Sequence, residues 1–347
     1  MSYSNFIHIA LAFNDVKGTY ARHAAVTIAS IFENTSSHVC VHVLHDDTLT
    51  AYNRDAFEKL ALKYAQTIEF HNVTKAFGSR KAELKDLGKR SQLTVGTLFR
   101  LLIPELLNCD KLIYLDCDIV VTLDIAELWN IDMQGKAVAA VRDFMSLDKF
   151  TIGKPIGWRQ SKIWKMWGVA DDEYFNAGVL LMDLKKIHEN YDMLKSLGNF
   201  VTLNQSFVSG ADQDYLNWLF TDDKLLIDTR FNRYRADGAT EENRTGVIWH
   251  VLWKPWLNYA HPAIDDLYWM YLRKTPYCNS EMELLRLALT DLSSSRYMHR
   301  HSSACIKRLK QQLHENIFRT HVLCIPNLIY CLLFSPHRSY KDVQSKS

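Results

Sequence analysis

The sequence predicts an α/β fold built on a mainly parallel sheet, and three observations lead there. Strand and helix signals alternate through the first 145 residues, the pattern of strands joined by crossover helices. The chain has 347 residues, enough for one large core or for a catalytic domain with an appendage. Its composition, 48% apolar and 23% charged with only 13 Gly and 7 Pro, is that of an ordinary globular protein with no repeat or low-complexity tract.

The elements follow in order. Residues 6–13 are apolar and short, with His8 inside the run and no basic segment before it, so they read as a first strand and not as a signal peptide. Residues 23–32 are rich in Ala and Ile at helical spacing, and 39–44 alternate as a strand. Residues 49–65 form a charged amphipathic helix, 67–73 a strand, and 97–107 a helix broken by Pro104. Two short apolar runs, 112–115 and 119–121, flank Asp116-Cys117-Asp118, and 137–141 is a further strand. Tyr174-Phe175-Asn176-Ala177-Gly178 leads into a strand at 179–182, a helix starts near Asp183, and 211–220 looks helical. Tryptophan and basic residues cluster at 157–167, which suits an exposed loop that closes over a ligand.

Beyond Tyr277 the character changes. Residues 278–347 carry ten Lys and Arg against five Asp and Glu, whereas residues 1–277 carry 31 against 34. Ile306, Leu309, Leu313 and Ile317 form one apolar stripe beside Lys307, Arg308, Lys310 and Arg319, and residues 322–334 are apolar but interrupted by Pro326. Such a segment is long enough to dip into a membrane interface and too short to cross it. The reading is therefore a catalytic domain at 1–277 and a helical, basic amphipathic membrane-association segment at 278–347. The seven cysteines are odd in number and include no Cys-x-x-Cys pair, which fits buried thiols in a reducing compartment. The expected location is cytoplasmic, at the inner face of the cell membrane. Nucleic-acid binding is not expected, because the basic residues gather on the tail without an aromatic stacking platform.

The sharpest chemical signal is the acidic pair. Along an extended chain, residues i and i+2 project to the same side, roughly 6.5–7 Å apart at Cα. Asp116 and Asp118 sit at a predicted strand end, where ligands of α/β sheets usually bind. Two carboxylates there suit a hard divalent cation with open positions for phosphate oxygens.

Six motifs in order resemble glycosyltransferase family 8, over roughly residues 7–258. They are Leu98-Phe99-Arg100, Tyr114-Leu115-Asp116-Cys117-Asp118, Ala140-Val141-Arg142-Asp143, Phe175-Asn176-Ala177-Gly178-Val179, Asp212-Gln213-Asp214, and His250 with Lys254-Pro255-Trp256. The resemblance implies a nucleotide-sugar-binding fold of the GT-A type, UDP-glucose or UDP-galactose as donor, and Mn²⁺, or Mg²⁺, as the working ion. It implies Asp116, Asp118 and His250 as metal ligands and Lys254 as the diphosphate contact. Arg100, Asp143 and Asn176 match positions that hold the donor sugar. Gln213 matches the residue beneath the reacting carbon, and Asp212 its sugar-binding neighbour.

Two departures stand out. The family usually places five residues, including a Gly, between the metal His and the phosphate Lys. Here only Val251-Leu252-Trp253 intervene, and the expectation is a straighter loop. The acidic pair that usually ends the first strand is replaced by Asn14 and Asp15 as candidate uracil and ribose contacts.

The expected activity is that of a retaining hexosyltransferase moving glucose or galactose from UDP to a lipopolysaccharide, lipooligosaccharide or capsule acceptor. The acceptor would be a glycolipid or oligosaccharide, and the tail would dock on anionic lipid. A sugar-phosphate nucleotidyltransferase would want a Gly-rich loop after the first strand, and residues 10–15 contain no glycine. The other alternative is a catalytically silent relative acting as a membrane-surface assembly subunit.

Overall fold

The computed structural model describes residues 6–79, 95–143, 163–170, 172–204, 212–234, 240–252, 254–256, 262–278, 280 and 285. Strands β1 (Ile7–Phe13) and β2 (Val39–His45) are buried along their whole length, as near-continuous apolar strands covered on both faces must be. Helix α1 (Tyr20–Asn34) between them is buried almost all round. Its start is fixed by Asp15, whose Oδ1 accepts the Tyr20 N–H at 2.6 Å.

Helix α2 (Ala51–Tyr64) buries only one stripe, including Ala56, Phe57 and Leu60. Thr50 caps it by accepting the Asn53 N–H, and Ala65 ends it at φ +52°. Strand β3 (Thr67–Asn72) forms the sheet edge and α3 (Thr74–Ser79) follows.

The helix expected at 97–107 is divided into α4 (Val95–Leu98), a 3₁₀ turn (Phe99–Leu102) and α5 (Ile103–Leu106). The break falls just before Pro104, which has no N–H for the Arg100 carbonyl. Pro104 itself lies in the first turn of α5, where a residue without an N–H is well placed. Gly96 explains how α4 sits: a Cβ there would lie 2.5 Å from the Asn14 nitrogen and 2.9 Å from Phe13 Cα. The helix therefore rests backbone to backbone on the end of β1.

Then come β4 (Lys111–Leu115), β5 (Ile119–Val121), α6 (Ala126–Trp129), β6 (Val138–Arg142) and β7 (Phe175–Asp183). Strand β7 begins earlier than expected, so Asn176-Ala177-Gly178 lies within the sheet and not before it. Asp183 caps α7 (Leu184–Asn190) by accepting the Lys186 N–H. The remaining elements are α8 (Met193–Asn204), α9 (Asp212–Leu219), β8 (Lys224–Leu226), a 3₁₀ turn (Thr229–Phe231), β9 (Arg233–Tyr234), β10 (Ile248–His250) and α10 (Pro262–Leu272).

Among the described residues the main sheet has seven strands in the order β3-β2-β1-β4-β7-β6-β8. The pairs β3/β2, β2/β1, β1/β4 and β6/β8 are parallel, while β4/β7 and β7/β6 are antiparallel. The sheet is mainly parallel, as predicted. Alternate β1 residues feed separate cores: Ile9 and Leu11 pack with the cluster holding Phe57 and Tyr268, and Ala10 and Ala12 with the one holding Phe99 and Tyr215. A second sheet, β5-β10-β9, stands beside the first. The segment 116–118 is the joint between the two sheets.

The loop expected at 157–167 lies outside the described residues up to 162. At its end Trp164 and Trp167 are buried, with Trp164 stacked on Tyr174 at a ring-centroid distance of 4.1 Å, while Lys165 and Met166 are exposed. Cys40, Cys109 and Cys117 form no disulfide. The amphipathic stripe and the apolar run of the C-terminal segment lie outside the described residues, but Cys278 and Leu285 are buried. Among the described residues no helix is long and apolar enough to cross a membrane.

Candidate active site

Strand β1 is the point where the order of parallel strands reverses, with β2 on one side and β4 on the other. A crevice at the carboxyl ends of strands about such a point is the usual ligand site of an open α/β sheet. Here it is a cavity of about 410 Å³. One wall is a corner of carboxylates with a histidine, the other a wall of amides.

The corner follows from the pairing of the two sheets. Asp116 N–H donates to Gly178 O at 2.8 Å, which sets Asp116 opposite β7. Strand β10 pairs antiparallel with β5, His250 opposite Ile119, and Val251 N–H donates to Asp118 O at 2.9 Å. One ligand atom each from Asp116, Asp118 and His250 falls within 4.8 Å of the others. His250 Nε2 lies 3.5 Å from Asp118 Oδ1, and its Nδ1 is 3.1 Å from Asn232 Oδ1. An amide oxygen only accepts, so Nδ1 carries a hydrogen and Nε2 is the atom turned to the carboxylates, a donor to Asp118 when protonated and a free lone pair when not. Burial opposes a charged imidazole, but Asp118 outweighs it and raises the His250 pKa. The same pairing holds the Asp118 carboxyl below its usual range against the effect of burial. Gly178 is the floor: a Cβ on it would lie 2.4 Å from His250 Cε1 and 2.9 Å from Asp116 Oδ2.

Arg100 braces this corner from below. Its Nη2 donates to Asp116 Oδ1 at 2.8 Å and its Nη1 to Ala177 O at 2.6 Å, while its guanidinium lies 4.5 Å above the Tyr114 ring. Tyr114 O–H also donates to Asp116 Oδ1. Asp116 Oδ1 is thus fully used and Oδ2 faces His250. Arg100 Nε lies 2.8 Å from Asp212 Oδ2 but directs its hydrogen at Thr97 O. Asp212 Oδ2 therefore shares charge with Arg100 yet receives no directed hydrogen bond. Burial, only partly offset by Arg100, pushes the Asp212 carboxyl up to about 6.

On the amide wall every side-chain amide oxygen has a donor. Gln213 Oε1 accepts from Asn176 Nδ2 and Ala177 N, both at 3.0 Å, and its Nε2 donates to Asp143 Oδ2 at 2.8 Å. The carboxylate of Asp143, which also accepts from Tyr234 O–H, decides which way the Gln213 amide points. Asn176 Oδ1 accepts from Gly178 N and from Asn232 Nδ2. The bonds run unbroken from Asp143 through Gln213, Asn176 and Asn232 to His250.

Lys254 closes the mouth. The short loop does not run straighter: it turns back, with Lys254 N–H donating to Val251 O at 2.8 Å and Lys254 itself at φ +53°. Its ammonium lies 5.5 Å from the Tyr20 ring centre, and Trp256 anchors the turn by stacking on His23 at 3.7 Å. Three intervening residues therefore suffice to bring both His250 and Lys254 to the cavity.

Of the predicted site residues, Arg100, Asp116, Asp118, Asn176, Asp212, Gln213, His250 and Lys254 line the cavity, and Asp143 stands directly behind Gln213. Asn14 and Asp15 are not in its lining, which ends at Phe13. Both Asp15 oxygens bond within the protein, Oδ1 to Tyr20 N and Oδ2 to Asn53 Nδ2. Three contributors carry no signal of their own in the sequence: Tyr20, Asn232 and Tyr234. Asn232 stands alone among larger residues in a segment without a periodic pattern, and only pairing with β10 gives it meaning.

The sequence model of glycosyltransferase family 8 matches residues 8–258. The chain belongs to this family. General stress protein A of Bacillus subtilis is 26% identical over 302 residues, covering 80% of this chain and 96% of that protein. A Haemophilus influenzae relative is 29% identical over 216 residues, covering 61% of this chain. Glycosyltransferase GlyF of Streptococcus pneumoniae is 27% identical over 189 residues, covering 52% of this chain. The chain spans 60% of the Haemophilus protein and 42% of GlyF. Among solved structures, the galactosyltransferase LgtC with donor and acceptor sugar analogues superposes with a TM-score of 0.63 at 24% identity, covering 79% of this chain and 98% of LgtC. The bifunctional glycosyltransferase WbbM gives 0.64 at 20% identity, covering 83% of this chain and 52% of WbbM. At these identities the likeness is one of fold, and the fold is the GT-A type of family 8.

Proposed function

We propose that this family 8 chain is a retaining hexosyltransferase that moves glucose or galactose from UDP to a glycolipid or oligosaccharide acceptor. The acceptor class is a lipopolysaccharide, lipooligosaccharide or capsule intermediate. The observation that carries the reading is the meeting, in one cavity, of three convergent metal-binding side chains, one lysine and a pre-set amide wall.

The donor set fits a divalent ion. Two carboxylates and a neutral imidazole nitrogen, over a glycine that leaves them room, suit Mn²⁺ and, with less use for the nitrogen, Mg²⁺. Held by Asp116, Asp118 and His250, such an ion supplies Lewis-acid stabilisation of the departing diphosphate.

The chain's own groups do the rest. Lys254 brings a fixed positive charge to the diphosphate without any proton transfer. We assign Asp212, which lines the cavity, the role of accepting a hydroxyl hydrogen of the donor sugar. Gln213 cannot rotate, because Asp143 fixes its NH₂ and two donors fix its oxygen. A carbonyl oxygen that already takes two hydrogen bonds is a poor nucleophile. We assign Gln213 the role of an oriented dipole beneath a sugar carbon that becomes oxocarbenium-like. Asn176 and Arg100 shape the same floor. Asn14 and Asp15 contribute through the end of β1 and the start of α1.

The test is UDP release from UDP-glucose and UDP-galactose with Mn²⁺, compared with EDTA and with Asp118→Asn. Metal-dependent release lost in the variant is the expected result. No turnover with any UDP-hexose would favour a silent assembly subunit. We extend the proposal to the segment 278–347 as a dock on anionic lipid, at about 1 kcal/mol per basic residue near the surface. Because Cys278 and Leu285 are buried, the truncation that tests it is made beyond Leu285. Undiminished binding to anionic vesicles would refute this part.

A further inference from the structure

A second cluster of metal-binding side chains lies on the main sheet away from the cavity. Strands β2 and β3 are parallel neighbours, with His42 opposite Glu69 and Leu44 opposite His71. Because side chains alternate along a strand, His42, Glu69 and His71 project from one face. His42 Nδ1 lies 3.1 Å from His71 Nε2 and 3.3 Å from Glu69 Oε2, and those last two atoms are 3.8 Å apart. The edges of a tetrahedron of nitrogen and oxygen ligands around Zn²⁺ are roughly 3.3–3.4 Å. Two edges of the observed triangle, 3.1 and 3.3 Å, are near that length, and the third, 3.8 Å, is somewhat longer.

The surroundings fit as well. His42 Nε2 lies 3.0 Å from Nδ1 of His8 on β1. If His42 donates through Nε2, its Nδ1 lone pair is left for the triangle, and His8 fixes the tautomer as outer partners of metal histidines do. The His42 side chain is 6% exposed, whereas those of Glu69 and His71 are 34% and 24% exposed. An ion can enter from the sheet edge and keep a water as its fourth ligand.

We propose that His42, His71 and Glu69 form a second metal site, of two histidines and one glutamate, that binds Zn²⁺ or a similar borderline transition ion. It differs in chemistry from the cavity's corner, where two carboxylates favour a harder ion. By strand spacing it lies roughly 12–16 Å from Asp116, two to three strands across and two residues along. It is a separate site, and nothing in the proposed sugar transfer passes through it.

The experiment uses the full-length chain carrying Asp116→Asn and Asp118→Asn, which removes the carboxylates of the cavity. Co²⁺ is titrated in, its visible absorption is followed, and Zn²⁺ is then added as competitor. The proposal expects one equivalent of Co²⁺ with the intense visible bands of a tetrahedral site, displaced by Zn²⁺. Adding Glu69→Gln or His71→Asn should weaken binding by more than roughly 10-fold with the far-UV circular dichroism unchanged, since both residues are part-exposed on an edge strand. Absence of a visible Co²⁺ spectrum in the double variant would overturn the proposal. So would a spectrum and affinity that survive both further substitutions.

Discussion

The carboxylate corner and the amide wall of the cavity are built on opposite terms. On the amide wall each acceptor described meets a donor, and the chain from Asp143 to Asn232 is closed at every step. Such a wall holds its shape whether or not a ligand is bound, which is what transition-state stabilisation by fixed dipoles requires. In the corner, Arg100 pairs with one oxygen of Asp116, and a proton or a cation among Asp116, Asp118 and His250 relieves the charge that remains. One wall is made to stay still and the other to receive something. Asn232 belongs to both, because its amide oxygen holds His250 and its NH₂ holds Asn176.

The largest expected effect comes from breaking the corner. Asp118→Asn keeps the shape but removes a ligand charge. Lewis-acid stabilisation is worth several kcal/mol, so Mn²⁺-dependent UDP release should fall by roughly 10³-fold at ~1.4 kcal/mol per decade. A variant within tenfold of the parent would mean that the corner is not the working site. Arg100→Leu should act on stability first. It leaves Asp212 buried and Asp116 partly buried without their shared partner, and urea unfolding should show a loss of about 3 kcal/mol. Gly178→Ala tests the space between the walls. Its methyl would meet His250 Cε1 at 2.4 Å, and a displacement near 1 Å at a reacting centre costs about 10²-fold. We expect that loss in kcat/KM for UDP-hexose hydrolysis, with the unfolding midpoint moving far less than in Arg100→Leu.

How much of the fold and the cavity is legible in the sequence depends on what each residue answers to. The parallel strands and α1 can be read because their apolar runs answer to burial alone. Asp116 and Asp118 can be read because two carboxylates between apolar runs are costly unless a cation or a donor meets them. The start of β7 is hidden because Asn176 and Gly178 look like turn formers, and only their partners, Gln213 and the His250 ring, account for them inside a strand. Pro104 marks the break in the helix at 97–107 but not its form, a 3₁₀ turn that lets Arg100 reach Ala177 and Asp116. The short loop before Lys254 suggests a straighter path. A turn closed by Lys254 N–H on Val251 O reverses the chain instead, with Lys254 itself at φ +53°, and spacing alone does not reveal it.

The smallest expected effect is the most discriminating, because it separates the two walls at the residue they share. Asn232→Ala removes the acceptor of His250 Nδ1–H and the donor to Asn176 Oδ1 together. Loss of an outer partner of a metal histidine typically weakens metal binding about 10- to 100-fold, so Mn²⁺ affinity should fall within that range and KM for the UDP-sugar should rise with it. Asn232→Asp divides these effects. A carboxylate still accepts from His250, so Mn²⁺ affinity should return to within a fewfold of the parent. The same carboxylate has no hydrogen for Asn176 Oδ1 and faces it oxygen to oxygen, so the amide wall is disturbed and kcat stays low. If Asp restores both quantities, the amide chain does not orient Gln213 through Asn176. If it restores neither, the hold of Asn232 on His250 is not what sets the tautomer of this proposed ligand.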